Sequence, residues 1–302
     1  MKLFKTTLCK FFLLVLFITG PAMFVEGNTE SANEVSNTVS ATTYHTADMI
    51  RKIINYRISA MPLYINNSAE MKKAQMEVER ARLKMAEKRA ELAAAKKVEL
   101  RMIISQAAVI YNDMELQDSG LSQKAFEYGL IGYYKLRKRG LLQRTDVLSI
   151  CDFSQSSSSK RMYIIDVRNH KLLYRTYVAH GINSGDEYAN SFSNRPESCK
   201  SSLGFYVTRK TYTGINGLSL RIDGLDKGFN DHANERNIVI HGASYVSLRI
   251  LHKYGVMGTT FGCPAVPEEM SSLIIPAVKN GTCFFIYYPS KKYLTQSTVL
   301  NG

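Results

Sequence analysis

The sequence predicts a mostly β domain with an N-terminal helical extension, an α+β chain overall. Three observations predict it. Beyond residue 145, short apolar runs rich in Val, Ile and Tyr alternate with Gly-, Asn- and Ser-rich segments, the pattern of strands joined by loops. Between residues 68 and 104 there is neither Gly nor Pro, and Ala, Glu, Lys, Arg and Met, all strong helix formers, dominate. The chain has 302 residues and is 45% hydrophobic, with 18 Tyr, 13 Phe and no Trp. That suffices for one sizeable core plus an extension.

The first residues have the character of a targeting segment. Lys2, Lys5 and Lys10 supply positive charge, Phe11 to Ile18 is an unbroken apolar run, and Val25-Glu26-Gly27 has a small-residue cleavage pattern. Residues 1–27 are therefore expected to be a signal peptide of an exported protein, in the periplasm or cell envelope. An uncleaved anchor is the alternative. Residues 28–67 are expected to form a flexible leader, rich in Ser, Thr, Asn and Glu over 28–48 and mixed enough over 49–65 to admit a short helix.

The formal net charge is +13, and loss of Lys2, Lys5, Lys10 and Glu26 with residues 1–27 would leave +11. Such charge suits an anionic polymer or a membrane surface. Nucleic acid, the other usual partner, is excluded by export.

Residues 68–104 are expected to form one long charged helix, capped by Asn67 or Ser68. Met71, Val78, Met85 and Leu92 recur every seven residues; Ala74, Ala81 and Ala95 take the second seam, which Lys88 interrupts. This weak heptad admits a coiled-coil arm for oligomerisation, a membrane or partner contact, or a solvated helix with one stripe on the domain. Residues 105–144 read as a helical hairpin packed on the β domain. Ala107, Ala108, Ile110 and Tyr111 open it, and a second helix from Ser122 to Lys138 ends before Gly140. The β domain follows over 145–292, with a helix at Glu268 to Val278, and 293–302 is left as a tail.

The chemistry concentrates in two segments. Ile238-Val239-Ile240 is a strand that delivers His241, followed by Gly242, whose freedom permits unusual backbone geometry. Downstream, Gly262 and Pro264 flank Cys263 in a shaped loop. A thiolate nucleophile needs a base to take its proton, and an imidazole is suited to that. A carbonyl near Gly242 is placed to orient the ring, and N–H groups near Gly262 to hold an oxyanion. Among the other cysteines, Cys199 sits in a polar loop, and Cys151 and Cys283 read as buried thiols. No CxxC or His pair supports a metal site.

These segments carry a resemblance. His241-Gly242 followed by Thr260-Phe261-Gly262-Cys263 resembles the active-site motif of YkuD-type L,D-transpeptidase catalytic domains. The likeness to the murein L,D-transpeptidase subgroup extends through Val178-Ala179-His180-Gly181, Ser201-Ser202-Leu203-Gly204-Phe205-Tyr206 and Asn230-Asp231-His232-Ala233 to Gly262-Cys263-Pro264-Ala265-Val266. It covers about residues 120–290. Most of the family has His where this chain has Phe261, and the His-to-Cys spacer is longer here.

The resemblance implies an L,D-transpeptidase-like β-sandwich as the catalytic domain. It implies cysteine-dependent acyl transfer on peptidoglycan (murein) stem peptides, forming 3→3 cross-links in cell wall biogenesis through a thioester, without metal or other cofactor. Hydrolysis of the same bond, an L,D-carboxypeptidase activity, is one alternative, and a non-catalytic peptidoglycan-binding protein is another. By carry-over Cys263 is the nucleophile, His241 the base and Gly242 its orienting carbonyl. Gly262, Thr260, Ser202, Gly204, Tyr206, His180 and Arg236 are candidate substrate or oxyanion contacts. His180 has a structural alternative at its turn, and Arg236 is either a loop anchor or a carboxylate ligand.

Overall fold

The computed structural model describes residues 69–302; the expected signal peptide 1–27 and leader 28–67 lie outside the described residues. The chain divides into two units, 1–86 and 87–302. Helix α1, Ala69–Asp113, runs through that boundary. It does not stop at 104. No Gly or Pro breaks it there, and its last turns bury Ala107, Ile110 and Tyr111 in a core. Its heptad residues Val78, Met85 and Leu92 are each more than half exposed. Among the described residues no helix is long and apolar enough to cross a membrane.

Helix α2, Gln123–Lys138, starts where the Ser122 hydroxyl accepts the Ala125 N–H at 3.1 Å. It buries Phe126, Leu130, Tyr133 and Leu136. Gly132 lets it press onto the sheet, because a Cβ there would lie 2.0 Å from the Phe205 ring.

That sheet has eight strands, β1 Val147–Asp152, β2 Met162–Asp166, β3 Lys171–Thr176, β4 Gly204–Gly214, β5 Gly217–Gly224, β6 Val239–Ala243, β7 Ala265–Pro267 and β8 Cys283–Tyr287. They form one ladder in the order β3-β2-β1-β8-β4-β5-β6-β7. β1 and β8 pair in parallel and are buried along their whole length, so they read as apolar runs rather than alternating strands. At the far end β6 pairs with β7 in parallel, His241 opposite Ala265 and Gly242 opposite Val266. Three-residue β7 is too short for its period to show in sequence. Helix α3, Leu248–Tyr254, lies between β6 and β7, and helix α4, Glu268–Val278, follows β7.

Residues 293–302 are not a tail. They belong to two short helices, α5 Lys291–Gln296 and α6 Thr298–Asn301, which bury Tyr293, Val299 and Leu300. Buried Asp226 holds them. Its carboxylate accepts from the Tyr293 hydroxyl at 2.9 Å, the Ser297 hydroxyl at 2.6 Å and the Val299 N–H at 3.0 Å. An ion with three donors replacing its water is stable in a core, and it fixes the chain end.

Candidate active site

The edge where β6 meets β7 gathers His241, Gly242, Thr260, Gly262 and Cys263. Cys263 lies two residues before the start of β7, and the Val239 N–H points to its sulfur at 3.4 Å. Val239 and His241 are two apart on β6, so their side chains share a face. The register pairs His241 with Ala265, so the imidazole-bearing strand and the strand that Cys263 precedes are hydrogen-bonded neighbours. The Cys263 S–H is directed to the Asn237 carbonyl at 3.7 Å.

His241 is 3% exposed. Its Nδ1 lies 2.9 Å from the Gly242 carbonyl. A carbonyl only accepts, so Nδ1 carries the proton and Nε2 is left as the basic nitrogen. Burial lowers the His241 pKa, partly offset by that hydrogen bond. Burial raises the Cys263 pKa, against the opposing Val239 N–H and the Arg236 charge. Both shifts favour the uncharged forms, a neutral thiol and a neutral imidazole.

Gly242 has an ordinary negative φ, contrary to the expected special backbone. It is glycine for space. A Cβ would meet the Ser271 hydroxyl at 2.8 Å and the Glu268 Cα at 3.2 Å, at the start of α4. Gly262 has φ +123°, and its missing Cβ makes room for the Lys200 carbonyl, 2.7 Å away. Its N–H is bonded to the Thr260 hydroxyl at 2.9 Å. That same hydroxyl donates to the Cys263 carbonyl at 2.9 Å. Thr260 thus clamps the nucleophile loop from inside, and the Gly262 N–H is not open to an oxyanion.

The other candidates are scaffold. His180 is 1% exposed, with Nδ1 2.7 Å from the Arg161 guanidinium and Nε2 2.8 Å from the Gly185 carbonyl. Neither nitrogen is left for substrate. Tyr206 is fully buried and donates to the Ser202 carbonyl at 2.9 Å. The Ser202 hydroxyl in turn donates to the Ser193 carbonyl at 2.8 Å and accepts from Arg236. Gly204 has φ +124°, and a Cβ there would strike Asn230 and Asp226 at 2.7 Å. Arg236 donates to the Ser193 carbonyl at 2.8 Å and the Lys200 carbonyl at 2.6 Å. It anchors the 193–200 loop against the site instead of presenting its fork to solvent.

Three contributors had no role assigned from sequence. The buried Ser201 hydroxyl accepts the Gly181 N–H at 3.0 Å, tying the loop to the segment beside Thr260. Fully buried Arg161 holds His180 and the Val178 carbonyl. Burial first, and the charge of an ionised Cys263 second, push the Tyr245 pKa up to about 12. Arg161 carried no motif, and Tyr245 sat in a segment with no periodicity.

The chain matches the L,D-transpeptidase catalytic domain over residues 117–287, more than half its length. It belongs to the L,D-transpeptidase catalytic domain family. Among solved structures it is similar to an L,D-transpeptidase from Mycobacterium smegmatis, at 10% identity and TM-score 0.30, covering 47% of this chain and 59% of that one. It is similar to the L,D-transpeptidase from Xylanimonas cellulosilytica, at 14% identity and TM-score 0.28, over 47% of this chain and 60% of that one. The helical cell shape determining protein Pgp2 from Campylobacter jejuni is similar at 14% identity and TM-score 0.32, over 56% of this chain and 60% of that one. The chain thus spans about three fifths of these proteins. No curated protein matches it.

Proposed function

We propose that this L,D-transpeptidase-family domain is an exported enzyme that transfers peptidoglycan stem peptides through Cys263, with His241 as base. One observation supports the reading: the His241 Nδ1 is fixed on the Gly242 carbonyl, which leaves Nε2 as the basic nitrogen on the strand whose Val239 N–H meets the Cys263 sulfur.

The steps follow from the residues. As the Cys263 sulfur attacks the carbonyl of the stem's third residue, its proton passes to His241 Nε2. The S–C bond forms, and the bond to the terminal D-Ala breaks as its amine takes that proton. A second stem's amine then attacks the thioester, giving up a proton to His241 as the S–C bond breaks. A buried, neutral pair favours this concerted proton movement over a standing ion pair. Tyr245 keeps its proton to about 12 and stands near the sulfur, so it is a neutral donor for the oxyanion. Product analysis from a defined tetrapeptide tests the acceptor. Cross-linked dimers support transfer, tripeptides alone mean hydrolysis, and no product from the folded protein rejects catalysis.

A further inference from the structure

Two adjoining clefts open where α1 meets the end of α2, inside the 87–302 unit, and no residue of the Cys263 site lines either. The first, of about 510 Å³, is basic. Lys96 and Lys97 of α1 and Lys135 of α2 stand around it, with Leu100, Ile103 and Leu300 as its apolar lining. Glu99 is its one acidic side chain among the described residues, and it is taken by Lys138 at 2.7 Å. Arg139 donates to the Thr298 carbonyl at 3.4 Å and lies against Gly302. Lys96, Lys97 and Lys135 have no acidic partner within ion-pair distance among the described residues. Half-buried Lys135 donates only to the Leu300 carbonyl among the described residues. Burial first, then the charges of Arg139 and Lys96, hold its pKa below the usual lysine value, against the opposing Glu99 charge. Positive charge is therefore gathered here and not neutralised.

The second cleft, of about 680 Å³, is apolar. Ala95, Val98, Met102 and Tyr134 line it, with Gln106 and Arg137 as further polar residues. Val98 is 56% exposed and Met102 67%, so this wall is open. Glu99, Ile103 and Lys138 line both clefts, which makes them one continuous surface, basic in one part and apolar in the other.

Uncovered apolar side chains beside clustered ammonium groups suit an amphiphile with an anionic head. Nucleic acid would satisfy the lysines and leave Val98 and Met102 in water. A second copy joined through the same patch would bring like charges together. A free phosphate would use the first cleft alone. A phospholipid uses both: its phosphate accepts from the ammonium groups, and its acyl chain covers the apolar side chains.

We infer that this surface docks on anionic phospholipid, with the headgroup phosphate among Lys96, Lys97 and Lys135 and an acyl chain against Val98 and Met102. The inference does not rest on the proposed acyl transfer.

Flotation of the whole protein with lipid vesicles tests it. Vesicles of phosphatidylcholine and phosphatidylglycerol in equal parts should carry the protein, and phosphatidylcholine alone should not. The paired substitution Lys96→Glu and Lys97→Glu, both on exposed side chains, should weaken binding to the mixed vesicles by about tenfold or more. Arg249→Glu with Lys253→Glu removes the same charge from exposed positions on α3, and should leave most of the binding. Val98→Gln with Met102→Gln should also weaken it by about tenfold. Glycerol phosphate, the headgroup without its chains, should bind at least about a hundredfold more weakly than the lipid. No flotation with the mixed vesicles overturns the inference. So does an equal loss in the two charge-reversed variants, which is attraction by net charge alone. Full binding by the Val98 and Met102 variant, or glycerol phosphate bound as tightly as the lipid, overturns it as well, leaving a plain phosphate site.

Discussion

Arg236 and Lys200 are joined by a 2.6 Å hydrogen bond from guanidinium to backbone carbonyl, and that carbonyl occupies the space left by the absent Cβ of Gly262. A cation in one loop thus sets the backbone on which the neighbouring Cys263 rides.

Gly262→Ala tests this packing. The substitution combines a φ of +123° with a 2.7 Å approach to the Lys200 carbonyl. Strain of about 1–3 kcal/mol is expected, lowering Tm. Any relaxation moves Cys263, so activity should fall by about 100-fold, measured on the folded fraction.

Thr260 offers a cleaner variant. Thr260→Val keeps the shape and removes both bonds of the clamp, to the Gly262 N–H and the Cys263 carbonyl. Leaving them unmet costs about 1–3 kcal/mol of stability. Thr260→Ser keeps the hydroxyl and should restore most of the rate.

Tyr245→Phe separates chemistry from folding. The proposed donor is lost and the ring stays. The turnover number should drop about tenfold with Tm nearly unchanged. An unchanged rate would assign the oxyanion to backbone donors alone.

His180 predicts how stability depends on pH. Burial first, and the Arg161 charge second, hold its pKa down at about 4 against an ordinary 6.5. An unfolded chain takes up this proton as pH falls below 6.5, while the folded one refuses it until about 4. The neutral ring's contribution is therefore complete above 6.5 and lost as pH falls towards 4, by up to about 3 kcal/mol. Thermal melts between pH 7 and 4.5 should show the loss, and His180→Gln should flatten it.

Much of this was legible in sequence. The strand delivering His241, the Gly-Cys loop and α4 lie where apolar runs and turn residues put them. Legibility failed where contacts are long-range. Tyr206, Ser202 and His180 sit in the motif-bearing segments, yet their polar atoms serve Ser202, Ser193, Arg161 and Gly185 inside the scaffold. Sequence spacing shows that a residue matters without showing which way it faces. The last ten residues looked like a tail because their anchor, Asp226, is about seventy positions upstream. Gly242 was read as a backbone device, and the close approach of α4 is the actual demand.

The most direct measurement is intact-mass spectrometry of the protein incubated with purified disaccharide-tetrapeptide, beside Cys263→Ala and His241→Gln. The account predicts a thioester adduct lighter than the full donor by one D-Ala, absent in Cys263→Ala and slowed by about 100-fold or more in His241→Gln. An unmodified wild-type protein that still binds the disaccharide-tetrapeptide, or an adduct that persists without Cys263, would contradict it.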